Sequence, residues 1–127
     1  MRLRRSLWTA MALLATTAAA IGADELDTDL MHAIEDSNKS LASNIATQQA
    51  DPASRDAKEL GEMFTQVETF FVHKGDADDA VQLSKKSREL AGQIQQLLAT
   101  GDFKAATDAA TTLSRTCKTC HNFYKKS

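Results

Sequence analysis

The chain has 127 residues, 43% hydrophobic and 25% charged, with a formal net charge of −2. That length suits one domain rather than two. Its slightly acidic balance excludes a nucleic-acid binder by composition.

The first residues, "MRLRRSLWTAMALLATTAAAIGA", carry Arg2, Arg4 and Arg5, then an apolar run from Leu7 to about Leu14, then small residues up to Ala23. This is the layout of a secretory signal peptide with cleavage sites between Ala20 and Ala23. The apolar run is short for a transmembrane span, so an uncleaved anchor is the lesser alternative. The expected division is a signal over residues 1–23 and one exported domain over 24–127, with no membrane span once the signal is removed. The domain then holds 17 acids against 12 Lys and Arg, a formal charge of −5. The imbalance is uneven: residues 24–79 hold 14 acids and 4 bases, residues 80–127 hold 3 acids and 8 bases. The sole tryptophan, Trp8, leaves with the signal. A core built without it would gain from a large apolar cofactor.

Beyond the signal, apolar residues recur at spacings of three and four and nowhere alternate with period two, which predicts an all-α domain. In the first segment Met31, Ile34, Asn38, Leu41 and Ile45 share a stripe, and Pro52 within "DPAS" is expected to end it. The second repeats Leu60, Phe64, Val67 and Phe71 and stops at "HKGD". The third runs from about Ala77 to Ala99 on Val81, Ser84, Leu90, Ala91, Ile94, Leu97 and Leu98. Asp102 is a plausible N-cap for the fourth, whose stripe is Phe103, Ala106, Ala110, Leu113, Cys117, Cys120 and Tyr124. Short links between long amphipathic helices give an antiparallel up-down-up-down four-helix bundle.

Both cysteines of the chain lie in "CKTCH", residues 117–121. Cys117 and Cys120 fall on one helical face, with His121 four residues after Cys117, so all three project toward the same side. C-x-x-C-H is the attachment sequence of c-type haem, in which two cysteine sulfurs add across the porphyrin vinyl groups and the histidine reaches the iron. Three other readings remain. A redox dithiol normally sits at a helix N-terminus, and this pair lies in the last turns, where the helix dipole has the opposite sign. A Cys117–Cys120 disulfide would close too small a loop to constrain much. A zinc site would have to draw on two cysteines and the scattered His32, His73 and His121.

With that motif a few residues from the C-terminus of a secreted four-helix chain, the sequence resembles the class II c-type cytochromes, the cytochrome c prime family. The resemblance spans about residues 26–126, and "CKTCHNFYK" looks like the family's C-x-x-C-H-x-x-aromatic-basic ending, Tyr124 standing one step beyond Phe123 and Lys125 behind it. It implies one covalent haem c per chain, held by Cys117 and Cys120, with His121 as proximal iron ligand. It also implies a periplasmic protein that carries single electrons between redox partners and is not an enzyme. Lys118, Lys125 and Lys126 then form a rim for acidic partners, or merely a solvated face, and the family admits a homodimer through the first two helices.

In that family the first helix presents one side chain to the distal face of the haem. Met31, in "LMHAIEDSNKSLASNI", matches that position and would make the iron six-coordinate and low-spin, the thioether raising its potential. Met31 as a core filler, with Leu30 facing the iron, would leave an open iron that binds nitric oxide or carbon monoxide. His32 as the ligand would require rotating the helix by about 100° and pulling Leu30, Ile34 and Leu41 off the core. His73 reads as a helix-terminal residue, and Arg115 has an open role toward a propionate. Many family members have a basic residue about a turn before the methionine position; here it is Asp27.

Overall fold

A computed structural model describes residues 26–124. The signal expected over residues 1–23, Lys125, Lys126 and the side chain of Tyr124 lie outside the described residues. Four helices follow one another: α1 (Thr28–Ala46), α2 (Ala50–Lys74), α3 (Asp78–Ala99) and α4 (Phe103–Tyr124), with no strand among the described residues.

Helix α1 begins at Asp27, whose carboxylate accepts the Asp29 N–H at 2.9 Å. An N-cap carboxylate satisfies a free amide and complements the helix dipole. Ile34, Leu41 and Ile45 are buried, with Met31 and Asn38 half-buried. The helix ends earlier than Pro52 suggested. Gln48 adopts φ 55°, and the amides of Thr47, Gln48 and Gln49 bond back to Ser43, Ile45 and Asn44 carbonyls. Pro52 instead sits in the first turn of α2, where its missing N–H costs nothing.

Helix α2 buries Ala53, Ala57, Leu60, Phe64, Val67 and Phe71 at alternating spacings of four and three, and closes at Gly75 (φ 72°), whose N–H reaches the Phe71 carbonyl at 3.2 Å. Helix α3 buries Ala80, Ser84, Ser87, Ala91, Ile94 and Leu98. The expected stripe residues Val81, Leu90 and Leu97 are half-buried flankers. The two serines tolerate burial because their hydroxyls donate to the carbonyls one turn back, Ala80 at 2.6 Å and Leu83 at 2.9 Å. Asp102 caps α4 as expected, accepting the Ala105 N–H at 3.0 Å.

The helices pack as a four-membered ring, each against its two chain or ring neighbours, with α1 closing onto α4. Their short connections make consecutive helices antiparallel, giving a four-helix bundle. Leu41, Leu60, Ile94 and Leu113, one from each helix, are fully buried at its centre. Burying each stabilises the fold by about 1.5–3 kcal/mol. Polar clamps set neighbouring pairs: Ser40 and Asn44 donate to Asp56 at 2.8 and 2.7 Å, and Arg88 to Glu68 at 3.1 Å. The start of α1, the end of α4 and the α2–α3 connection therefore share one end of the bundle. The α1–α4 seam is the least closely packed of the four.

Candidate functional site

The last turns of α4 lie at that end. Cys117 and Cys120, one turn apart, are half-buried and pack against the edge of the core; both are free thiols. Burial pushes the Cys117 thiol up to about 11, with the neighbouring Cys120 adding to the rise and a backbone hydrogen bond opposing it. Burial also pushes Cys120 up. Both are therefore neutral thiols near pH 7, the reverse of the lowered pKa that an attacking dithiol requires.

His121 is exposed, unlike the two cysteines. At 100° per residue it lies about 40° around α4 from Cys117, on the flank shared with Ser114. That flank faces α1, because Asn38 Nδ2 donates to Ser114 Oγ at 3.1 Å across the seam. Two turns from this pair toward the end of the bundle, a shift of seven residues or about 10.5 Å, lead from Asn38 back to Met31 and from Ser114 forward to His121. Seven residues nearly complete two turns, so each residue stays on its own flank. The register of the antiparallel seam thus puts Met31 and His121 at one level on facing flanks. The same register runs the other way, where Asn38, Ala42, Ile45 and Ala46 meet Thr107, Ala110, Thr111 and Ser114 around a cavity of about 130 Å³.

Met31 is half-buried and packs against the core together with Leu26 and Leu30. His32 is exposed, about 120° around α1 from the Asn38 stripe, so it does not share the flank that faces α4. His73 Nδ1 donates to the Thr69 carbonyl at 2.8 Å on its own helix, the helix-terminal role expected of it. Arg115 and Lys118 are exposed on the outer side of α4. Among the described residues no three His, Cys, Asp or Glu side chains come together in a group able to hold a metal ion, so Cys117, Cys120 and His121 do not form a zinc cluster. No helix of the described residues is long and apolar enough to cross a membrane.

Sequence reasoning missed the Asn38–Ser114 bond. The signal was present as two equal spacings of seven, Met31 to Asn38 and Ser114 to His121, but it becomes readable once α1 and α4 are known to be antiparallel neighbours. Comparison with known proteins found no matching family model, curated protein or solved structure.

The residues suit a covalently held haem. Two neutral thiols stand on one helical face against the core edge, an exposed imidazole lies beside them, and a half-buried thioether lies at the same level across a loose seam. Small buried residues at the start of α3, its cap Ala77 with Ala80 and Ser84, lie toward the same end.

Proposed function

We propose that this chain is an exported, periplasmic monohaem c-type cytochrome, similar to the class II cytochromes, that carries single electrons between redox proteins. The observation that carries the reading is the shared level of Met31 and His121 across the α1–α4 seam, beside the Cys117–Cys120 pair. Cys117 and Cys120 would hold the haem through thioether bonds, and His121 through an imidazole nitrogen and Met31 through its thioether sulfur would bind its iron. The bound haem would supply a one-electron couple at its iron.

The chain's own residues divide the remaining work. Leu26, Leu30 and Met31 at the mouth of the core, with the buried Ile34 below them, keep water from the inner side of the site. Met31 would offer a soft thioether, which would favour the reduced state and raise the potential. Lys118 and Arg115 are exposed near the attachment turns and favour an acidic partner.

The reading is tested by making the mature protein in a host that attaches c-type haem. Colour should stay with the polypeptide through denaturation and be lost when Cys117 and Cys120 are both replaced by serine. A colourless product from such a host would overturn the reading.

A further inference from the structure

We propose that Asn38 and Ser114 form a register lock, a pair of positioning residues that holds Met31 opposite His121. The inference rests on the haem reading above and adds to it which residues fix the sixth ligand.

Three observations carry it. The α1–α4 seam is the least closely packed of the bundle. Below the pair it is lined mainly by small side chains, Ala42, Ala46, Thr107, Ala110 and Thr111, which leave a cavity of about 130 Å³ instead of interlocking. Across this seam the amide of Asn38 and the hydroxyl of Ser114 meet at 3.1 Å. Large side chains set a helix register by fitting ridges into grooves, and a seam of small residues does this weakly. The buried Ile34, Leu41 and Ile45 and the bonds of Ser40 and Asn44 to Asp56 set α1 against α2, and the directional Asn38–Ser114 bond adds the term that sets it against α4.

The alternatives matter chemically. Sliding α1 by one turn, about 5.4 Å, brings Asp27 or Glu35 to the level of His121 in place of Met31. Neither offers a thioether. A slide in either direction separates Asn38 from Ser114, as it separates Ser40 and Asn44 from Asp56, so the hydrogen bond and the Met31 position are made or lost together. The lock lies two turns from the iron ligands and touches neither of them.

The test uses the haem-loaded mature protein with Asn38→Ala, Ser114→Ala, the double variant and Ser114→Thr, which keeps the hydroxyl. Each is read by the rate of carbon monoxide binding to the reduced iron and by the reduction potential, with helix content measured alongside. Ser114→Ala replaces an exposed helical residue by a better helix former, so α4 folds. A hydrogen bond of ordinary net strength predicts that each alanine variant binds carbon monoxide roughly two- to tenfold faster. The double variant should be no faster than the singles, because either change removes the same bond. Ser114→Thr should stay near the parent rate. Haem attached as usual, with Met31→Ala opening the iron but Asn38→Ala and Ser114→Ala leaving rate and potential unchanged, would overturn the lock and leave the haem reading intact. Absence of attached haem in the parent would overturn the haem reading itself.

Discussion

Cys120 lies one turn beyond Cys117 on α4, and both thiols are half-buried against the core while the next residue, His121, stands exposed. An ideal helix carries these three positions through an arc of about 100°. That arc spans the boundary between the core and the α1 seam. The cysteines can anchor a group from the core side, and the imbalance in exposure leaves the histidine free to turn toward it.

The raised thiol pKa makes the haem-free protein sensitive to alkali. Cys117 ionises at about 11 in the folded chain against 9.0 when unperturbed. The folded state therefore holds its proton more tightly, and the stabilisation is complete below pH 9 and lost as pH rises through 11. Thermal melts of the haem-free protein should show a fall between pH 9 and 11 that is smaller in Cys117→Ala, by up to about 2 kcal/mol. Equal falls in both proteins would show that the thiol is not held in a desolvated site. Thioether attachment removes the ionisable proton, so the loaded protein should lack this component as well.

Leu113 is fully buried one turn before Cys117 and belongs to the same buried core as Leu41, Leu60 and Ile94. Leu113→Ala should cost about 2–5 kcal/mol in urea unfolding, through lost burial and the cavity left behind. A cost under 1 kcal/mol would mean that the bundle centre is not packed as described.

Gly75 ends α2 at φ 72°, and a β-carbon there would meet no atom within 4 Å. With ψ 165° this backbone lies where essentially only glycine goes, so Gly75→Ala should cost backbone strain alone, about 1–3 kcal/mol. Gly61 makes a useful comparison, since its added β-carbon would meet the Ala91 methyl at 3.7 Å, an ordinary contact, on a helical backbone. Gly61→Ala should be neutral or stabilising. Urea melts of the two variants should move in opposite directions or differ by more than the error of the midpoint.

Much of the fold was legible because all four helices carry a clean apolar period. The stop at Gly75 and the cap at Asp102 were both read correctly, as each uses a residue whose backbone or side-chain preference is strong. The end of α1 was misread because Pro52 is a strong helix breaker in the middle of a helix and a neutral residue in a first turn. The true break falls at Gln48, whose positive φ carries no sequence mark. Helix α3 was assigned too apolar a stripe, since Ser87 is buried only by virtue of bonding its own helix. At the site, the cysteine spacing was readable from "CKTCH" and the Met31 stripe from periodicity. What remained hidden was the relation between α1 and α4, because it shows in a contact between the two helices, Asn38 with Ser114, and in neither helix alone.

If the proposed function holds, Met31 and His121 would both bind the iron of one haem. The most direct measurement is the absorption spectrum of the reduced, haem-loaded mature protein with and without carbon monoxide, compared with Met31→Ala. The parent is expected to be low-spin and untouched by the gas, and the Met31→Ala protein to keep its covalent haem but become high-spin and bind carbon monoxide. A parent spectrum that is high-spin and shifts with carbon monoxide, unchanged by Met31→Ala, would contradict it. Met31 would then be a core residue and the open, gas-binding iron the correct reading.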